Sequence, residues 1–504
     1  MKVNTFFRAG LLLLGCSLVT THADPQTSPA PLVDGSAAIG LRFASPEPPH
    51  LRSLNVPGLF TAENTELLPM VTELRQPTEA APYIGRIYEM DLRADLRGLW
   101  TDLGGGAWLW TMQILSPNAA SLRLEFEPFR LPEGCELNIY NARNPGESYG
   151  PFSRSASLSS SFWAPTVFSN EACLELYVPP QVERSAVAGK IHIRSVAQEF
   201  PAPDDLDRGC RIDVTCDPNW ANEAVGVAHI RWSCPPYICL CTGSMVNRIN
   251  GDWAPLFLTA GHCINNETDA NNLEVYWLYQ TATCNGAAPP LGNCPRTNGA
   301  TLLAYHSTAD NSLLGLTGTI PGGLWWNGWD AAAIPNPTNG VLIHHPAGDR
   351  KSISYGVYEG RDDGHCAAPI DINYRLDLSD GGQEGGSSGA PGFDPSHRIR
   401  TVASCSDDPN CAPGENTWEG SFPNAYSTLS PFLDPQLDVW VNGSYGGTER
   451  GTQTQPWNTI IEGYFGVRSG GTIHIQTGTY PPATLRGSRS MRLQAEGGTV
   501  RIGS

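Results

Sequence analysis

The sequence predicts an all-β protein built from several units. Apolar and polar residues alternate in short runs between about residues 86 and 200, a period typical of half-buried strands. After residue 206, short apolar runs follow one another without a long helical period. The 53 glycines and 42 prolines among 504 residues suit many turns, yet stay below the share of low-complexity chains.

Composition narrows the class of protein further. The formal net charge is -18, from 32 basic and 50 acidic side chains, and such a chain repels phosphates, so we expect no nucleic-acid partner. No run of 18 uncharged apolar residues follows residue 20, so no transmembrane helix is expected. The 14 cysteines indicate an oxidising compartment.

The first residues predict export from the cell. Lys2 and Arg8 precede an apolar run from Ala9 to Val19, and small residues end at Ala23. This pattern predicts a signal peptide over residues 1–23 of a secreted, extracellular bacterial protein. The run Leu-Leu-Gly before Cys16 also resembles a lipoprotein box, so anchoring through Cys16 is the alternative. Residues 24–85 are rich in proline and are predicted to be an extended lead.

Residues 86–205 are predicted to form a β-sandwich-like unit. Alternating apolar residues mark its strands, among them Trp108, Trp110, Leu122, Leu124, Leu174 and Leu176. Cys135 and Cys173 are its only cysteines, so a disulfide between them is the simple prediction. A polar, proline-rich stretch at residues 201–205 then predicts a boundary to the next unit, residues 206–435.

Three segments of the next unit carry residues suited to acyl transfer. His262 ends an apolar strand, Asp310 precedes an apolar run, and Ser388 lies in the glycine-rich stretch EGGSSGAP. Serine is a weak nucleophile until a base takes its proton, imidazole can do so near neutrality, and a carboxylate fixes the imidazole tautomer. Taken singly, each segment is compatible with an ordinary turn or cap. The order His, Asp, Ser is that of chymotrypsin-type enzymes.

Seven motifs in one order make the unit similar to a known family. They are CRIDVTC, CTGSMVN, FLTAGHC, VYWLYQTATC, LWWNGWDA, IHHPAGDRKSIS and GGSSGAP. The unit resembles the bacterial lysyl-endopeptidase branch of trypsin-like serine proteases. The resemblance implies a chymotrypsin-like double β-barrel, with His262 as general base, Asp310 as orienting carboxylate and Ser388 as nucleophile. Backbone N–H groups of Gly386 and Ser388 would form the oxyanion hole.

The resemblance implies a secreted serine endopeptidase that acts as a monomer on protein and peptide substrates. No cofactor or metal is implied, since protein groups supply the nucleophile, base and oxyanion donors. The alternatives are a non-catalytic surface or binding protein with a protease-like domain and an adhesive tail, and an esterase that uses the same triad. An intact triad favours the protease.

The resemblance also implies disulfides Cys210–Cys411, Cys216–Cys284 and Cys241–Cys263. For the other cysteines of this unit we predict Cys234–Cys239 and Cys366–Cys405, with Cys294 unpaired, although sequence alone leaves connectivity open. A zinc site of Cys234, Cys239, Cys241 and His229 is the alternative, and disulfides are favoured in a secreted chain.

Lysine specificity is where the sequence departs from the family pattern. In that family an acidic residue at the base of the S1 pocket lies two positions before a tyrosine. The matching tyrosine here is Tyr426, which places Asn424 in the pocket. An amide cannot pair with an ammonium group as a carboxylate does, so strict lysine cleavage is expected to be lost. Candidate substitutes for the missing charge are Asp407, Asp408, Glu415 and Glu419.

The flanking units have predicted roles of their own. Residues 24 to about 205 occupy the place of a pro-region, cut near Asp207–Gly209, and a permanent β-domain is the alternative. Residues 436–504 hold short strands recurring every 8–11 residues or so, a spacing typical of a β-solenoid, and the run Gly470–Tyr480 resembles the opening coil of parallel β-helix proteins. The alternative for this tail is an ordinary β-hairpin.

Overall fold

The computed structural model describes most of the chain and is built chiefly of strands. The described residues are 22–23, 26–27, 60–72, 83–153, 161–201, 210–362, 372–407, 414–483, 485 and 489–503. Residues 1–21, which hold most of the predicted signal peptide and Cys16, lie outside them. Among the described helices, none has the length and apolar character needed to cross a membrane. The predicted all-β fold class is confirmed.

The N-terminal unit is a sandwich of two sheets. Two short strands, β1 (His22–Ala23) and β2 (Gln26–Thr27), precede it in the chain and pair elsewhere. Its own elements are β3 (Thr65–Leu67), β4 (Tyr83–Arg93), β5 (Leu99–Gly104), β6 (Ala107–Leu115), β7 (Leu122–Phe129), β8 (Glu136–Asn141), β9 (Ser148–Phe152), β10 (Phe162–Trp163), β11 (Glu171–Val178), α1 (Arg184–Ala188) and β12 (Ile191–Glu199). One sheet has the order β3-β6-β11-β8-β9 with β5 on β6, and the other runs β10-β7-β12-β4. Both sheets contribute to one core that includes Trp110, Leu124, Leu174 and Ile193. The alternating pattern read from the sequence thus buries the faces between the sheets.

The predicted Cys135–Cys173 disulfide is wrong, because both cysteines are free and buried. In the pairing of β8 with β11, Cys173 lies opposite Tyr140, five residues beyond Cys135. At roughly 3.3 Å per residue this separates the two cysteines by about 17 Å, whereas a disulfide needs Cα atoms within about 7 Å. The odd offset also puts their side chains on opposite faces of the sheet, in different apolar clusters.

The second unit contains two barrels. Its elements are β13 (Ile212–Asp213), α2 (Ala221–Gly226), β14 (Val227–Cys234), β15 (Tyr237–Val246), β16 (Leu256–Ala260), α3 (Glu267–Asn271), β17 (Glu274–Trp277), β18 (Arg296–Asn298), β19 (Ala300–His306), β20 (Asn311–Leu316), β21 (Trp325–Trp326), β22 (Gly328–Asp330), β23 (Thr338–His344), β24 (Ser352–Asp362), β25 (Asn373–Asp380), β26 (Pro391–Phe393), β27 (Arg398–Ser406), β28 (Asn416–Ser421) and α4 (Phe422–Leu433). Strands β14 to β20 form the first barrel, and β22 to β28 form the second. Short 3-10 turns cover Val214–Cys216, Pro218–Trp220, Leu291–Asn293 and Pro346–Gly348.

Three disulfides join described cysteines, all of them as predicted: Cys216–Cys284, Cys234–Cys239 and Cys241–Cys263. Cys294 is free and buried, which confirms its predicted unpaired state. The zinc alternative is wrong, because the sulfurs it needed are bonded to one another or to Cys263. Cys210 and Cys405 are also disulfide-bonded. Their predicted partners, Cys411 and Cys366, lie outside the described residues.

The tail is a coil of parallel strands packed on the second unit. It consists of β29 (Gln436–Val441), α5 (Ile460–Gly466), β30 (Val467–Tyr480) and β31 (Arg492–Ile502). Both pairings in the sheet β29-β30-β31 are parallel, as in a β-solenoid, whereas the hairpin alternative required antiparallel strands. Val441, Trp457, Phe465 and Ile473 of the tail share one apolar core with the two barrels. The tail is therefore built into the core of the second unit.

The N-terminal unit and the first barrel share one sheet of 11 strands. Strand β4 pairs antiparallel with the start of β15, with Arg86 opposite Tyr237 and Gly85 opposite Ile238. At the other side of the molecule, β1 and β2 pair with β22 and β21, so that Ala23, the last residue of the predicted signal peptide, lies opposite Trp329.

Candidate active site

His262 and Asp310 form a hydrogen-bonded pair in the cleft. His262 follows β16, and its neighbour Cys263 is tied to β15 through Cys241. Asp310 precedes β20, which pairs with β16, so the two residues meet at the same edge. The His262 ring Nδ1 lies 2.7 Å from Asp310 Oδ2, and the His262 backbone N–H donates to Asp310 Oδ1 at 2.7 Å. The carboxylate therefore fixes both the backbone and the ring of His262.

Electrostatics favour a basic imidazole at this position. Burial alone would lower the pKa of His262, but the Asp310 charge and hydrogen bond raise it above its ordinary value. Burial likewise opposes ionisation of Asp310, yet His262 and the hydroxyl of Ser404 hold the pKa of that carboxyl below its ordinary value. Ser404 Oγ donates to Asp310 Oδ2 at 2.6 Å. With Nδ1–H directed at Asp310, the other ring nitrogen, Nε2, is left to act as base.

Ser388 lies where β15, β16 and β27 come together. Its carbonyl accepts from the N–H of Thr242 at 2.8 Å, and the N–H of Gly389 donates to Ala403 O at 2.8 Å. A Cβ on Gly389 would lie 2.2 Å from Thr259 Oγ1, so only glycine fits there. Since β16 leads to His262 and β27 carries Ser404, the fold brings the three predicted catalytic residues to one cleft.

The Ser388 hydroxyl is not hydrogen-bonded to His262 in this structure. In the described part of the chain, no hydrogen bond joins His262 Nε2 to Ser388 Oγ. The His262 side chain is 32% exposed, so one ring edge remains open to the cleft. Catalytic hydrogen bonds are often long in unliganded enzymes and tighten when substrate binds.

A tight turn presents backbone donors beside Ser388. Gly386 has φ +100°, and a Cβ there would lie 2.5 Å from Leu240 Cδ1. The turn is closed by the N–H of Ser387, which donates to Glu384 O at 2.9 Å. The N–H groups of Gly386 and Ser388 have no acceptor among the described residues, so both are available to an oxyanion.

Residues that the sequence analysis missed hold this turn. Ser387 Oγ lies 2.7 Å from Nδ1 of buried His344, whose Nε2 lies 3.1 Å from Ser354 Oγ. Burial, with the charge of Arg211, lowers the pKa of His344 to about 3, so this ring stays neutral. On the other side, Arg211 Nε donates to Glu384 Oε2 at 2.5 Å. His344 therefore supports the turn from one side and Arg211 from the other, and the part played by Arg211 gave no signal in the sequence.

Asn424, which is predicted to lie in the S1 pocket, belongs to helix α4. Helix α4 begins at Phe422 with Ser421 as its cap, so Asn424 lies in the first helical turn. Its Oδ1 accepts from Arg361 Nη2 at 3.0 Å, and its amide faces Ile372 O at 3.5 Å. Its place in the S1 pocket stays a prediction.

Strand β28 carries a buried acid, Glu419. It lies opposite Ala403 in β27, next to Ser404, and is fully buried. Its two carboxyl oxygens have no hydrogen-bond partner among the described residues. Burial, together with the charges of Glu415 and Asp310, raises the pKa of Glu419 to about 8.

Glu415 is a second buried acid near the nucleophile loop, since its Oε2 accepts from the N–H of Gln383 at 3.0 Å. Asp407, by contrast, is exposed, and its Oδ1 accepts from the backbone N–H of Asn416 at 2.9 Å. Asp408 lies outside the described residues. The alternation Glu415, Thr417, Glu419 begins just before β28 and continues into it, and it is the sequence signal for these buried side chains.

Known proteins resemble this unit. The family described as "Lysyl endopeptidase, C-terminal domain" matches residues 207–416. The unit is lysyl-endopeptidase-like. The lysyl endopeptidase of Pseudomonas aeruginosa is 29% identical over 318 residues, which cover 58% of this chain and 66% of that protein. This chain thus spans just under two thirds of the length of that relative, and the resemblance drawn from the seven motifs is confirmed.

Solved protease structures are similar over part of this chain. The Rv3671c protease of M. tuberculosis in its active form is 17% identical, covers 46% of this chain and 93% of its own, and has a TM-score of 0.31. The HtrA-type protease AlgW with tripeptide is 12% identical, covers 43% of this chain and 62% of its own, and has a TM-score of 0.31. Scores of this size carry no further inference about the lysyl-endopeptidase-like unit.

Proposed function

We propose that the chain is a secreted serine endopeptidase that cleaves peptide bonds through an acyl-enzyme on Ser388. The observation that carries the proposal is the His262–Asp310 pair, joined at 2.7 Å beside the glycine turn of Ser388. His262 Nε2 takes the proton of Ser388 Oγ as the oxygen attacks the substrate carbonyl. The N–H groups of Gly386 and Ser388 then stabilise the oxyanion.

The second half of the reaction uses the same groups. His262 gives its proton to the leaving amine, and water enters to release the acyl group with His262 again as base. Asp310 stays ionised throughout and stabilises the imidazolium, with Ser404 donating to it. Each step uses a protein group already in position, so the proposed reaction calls for no cofactor.

For specificity, we propose that Glu419 binds a basic P1 side chain. It would replace the acidic residue that the family has at the position matched by Asn424. Glu419 is buried next to β27 and lacks a hydrogen-bond partner among the described residues. A lysine or arginine side chain entering the pocket would supply the missing cation. The name of the relative, lysyl endopeptidase, agrees with a basic P1, although strict lysine cleavage does not follow from Glu419 alone.

Peptide profiling tests this specificity. On a mixed peptide library we expect cuts after both lysine and arginine, and Glu419→Gln should lower kcat/KM for both at least a hundredfold, with smaller effects on apolar P1 residues. Glu359→Gln, at an exposed site on β24 of the same unit, is the matched control. Cutting after lysine alone would mean that the enzyme is strictly lysine-specific. Unchanged cleavage after lysine and arginine in Glu419→Gln would exclude Glu419 as the pocket acid.

The N-terminal unit is proposed to be a pro-region that is cut near residues 207–209 during maturation. Its strand β4 lies on the edge of β15, the strand whose Thr242 contacts Ser388, which supports a role in covering the cleft before processing. A permanent β-domain remains the alternative. Mass spectrometry of the secreted protein would give both termini and decide between the two.

Replacing the nucleophile tests the catalytic proposal. Ser388→Ala should abolish peptide hydrolysis and labelling by an organophosphate while the protein stays folded. Ser396→Ala, in a surface turn next to Asp394, is the control and should keep full activity. Full hydrolysis by Ser388→Ala would refute the assignment and favour the non-catalytic binding protein or another nucleophile.

A further inference from the structure

A buried arginine from a distant part of the chain contacts the turn beside Ser388. Arg211 precedes Glu384 by 173 residues and donates from Nε to Glu384 Oε2 at 2.5 Å. Its Nη1 donates to Asp349 Oδ2 at 3.1 Å. The side chains of Arg211 and Glu384 are 3% and 0% exposed, so solvent hardly screens this ion pair.

Glu384 is the first residue of the turn that presents the oxyanion donors. Its carbonyl accepts from the N–H of Ser387, and its own N–H donates to Ser387 Oγ at 3.2 Å. Gly386, with its left-handed backbone, lies inside this closed turn. Any movement of Glu384 therefore moves the peptide groups on which the oxyanion depends.

We propose that Arg211 is a positioning residue for the oxyanion site: by pairing with Glu384 it keeps the N–H groups of Gly386 and Ser388 directed at the developing oxyanion. The proposal rests on the proposed function of Ser388. Arg211 touches no reacting atom and acts through Glu384 and the turn.

Loss of Arg211 would leave the buried Glu384 carboxylate without this cation. A buried carboxylate without its cation is costly and seeks other donors. Within the turn, the uncommitted donors are the N–H groups of Gly386 and Ser388, so Glu384 would compete with the substrate oxyanion for them. Its negative charge would also oppose the charge that develops on the substrate oxygen. Both effects act in the transition state more than in the ground state, so kcat falls while KM changes little.

The test compares two buried arginines in the full chain. Arg211→Gln removes the cation at the turn, and Arg400→Gln removes an equally buried one whose Nη1 lies 2.7 Å from Asp394 Oδ2, away from the turn. We expect Arg211→Gln to lower kcat about a hundredfold, the effect of losing one oxyanion donor, with KM within threefold. Arg400→Gln should lower the melting temperature but leave kcat nearly unchanged.

A peptide aldehyde separates positioning from general loss of structure. Ser388 Oγ adds to the aldehyde carbon, its proton passes to His262, and the new hemiacetal oxygen occupies the oxyanion site. In Arg211→Gln, the inhibition constant of the aldehyde should rise by the same factor as kcat falls. In the pair variant Arg211→Gln/Glu384→Gln the carboxylate is gone, and kcat should recover at least tenfold over Arg211→Gln.

The outcomes distinguish this proposal from the function on which it rests. Activity retained by Ser388→Ala would refute the proposed function. An inactive Ser388→Ala, together with kcat and inhibition constant in Arg211→Gln within threefold of the parent, would overturn the role of Arg211 alone. Equal losses of kcat in Arg211→Gln and Arg400→Gln would also overturn it. If Arg211→Gln does not fold, Arg211→Met, which also removes the cation but keeps a long side chain, replaces it: parallel changes in kcat and inhibition constant support the proposal, and parent values overturn it.

Discussion

Glu274 should control how firmly the N-terminal unit is held on the protease unit. This side chain is 1% exposed on β17. It accepts from the N–H and hydroxyl of Thr166 at 2.9 and 2.5 Å, and from Arg296 Nη1 at 3.0 Å, while Arg123 Nε lies 3.9 Å away. Thr166 and Arg123 belong to the N-terminal unit, so one carboxylate joins the two units.

The expected loss of stability follows from the two arginines that would no longer have a carboxylate beside them. In Glu274→Gln, Arg123 and Arg296 lose the carboxylate between them, and breaking a buried ion pair in this way costs about 3–5 kcal/mol. At about 1.4 kcal/mol per factor of ten, local opening between the units should become roughly 10² to 4 × 10³ times more frequent. Glu171→Gln, which breaks an exposed pair with Arg143, should cost under about 1 kcal/mol.

Hydrogen exchange measures this opening directly. The N–H of Ile87 donates across the boundary to Pro236 O at 2.8 Å, so its exchange reports separation of the units. Measured in the Ser388→Ala background to avoid self-cleavage, exchange at Ile87 should accelerate by the stated factor in Glu274→Gln. Unchanged exchange, or the same small change in Glu171→Gln, would refute the reasoning.

Acid should act on the same contact. Burial opposes ionisation of Glu274, but Arg123 and Arg296 hold its pKa below the ordinary 4.5. A carboxyl with a lowered pKa stabilises the folded form above its unfolded pKa and loses that contribution as pH falls. The protection factor at Ile87, which is the intrinsic exchange rate divided by the observed rate, should therefore fall only below about pH 4.5, and a fall already at neutral pH would contradict this account.

The remaining predictions concern the catalytic pair and its frame. Ser404→Ala removes a donor to Asp310 and should lower kcat/KM about tenfold without unfolding, which steady-state kinetics would show; an unchanged value would make that hydrogen bond irrelevant to catalysis. Because Asp310 raises the pKa of His262 above 6.5, and the base must be neutral, kcat/KM should fall as pH drops through that raised pKa, and a limb below pH 6 would contradict it. Cys263→Ser opens the bridge to Cys241 and should cost about 2–4 kcal/mol in chemical denaturation, with parent-like stability as the contrary result.

The sequence located residues whose neighbours along the chain identify them. His262, Asp310 and Ser388 each lie in a short motif, and the structure brings the three to one cleft because β16 and β20 are paired and β27 lies beside the Ser388 turn. The Cys216–Cys284 and Cys241–Cys263 bridges came with the resemblance, and the structure confirms both.

Predictions that needed strand register were less successful. Cys135 and Cys173 looked like partners by elimination, but their distance depends on how β8 pairs with β11. Asn424 was placed in the S1 pocket by counting back from Tyr426, and that placement stays a prediction. The buried pairs of Arg211 with Glu384 and of Arg123 with Glu274 join residues far apart in the chain, and one sequence gives no sign of such contacts.

The sheet shared by β4 and β15 has a consequence for how the protein persists. Pairing these strands closes a long loop, a slow step in folding, and the partner strand comes from the unit that processing is proposed to remove. After that removal, the first barrel would no longer have strand β4 to pair with β15 during refolding. Its lifetime would then be set by the height of the unfolding barrier, and a denatured sample would not regain its fold on dilution.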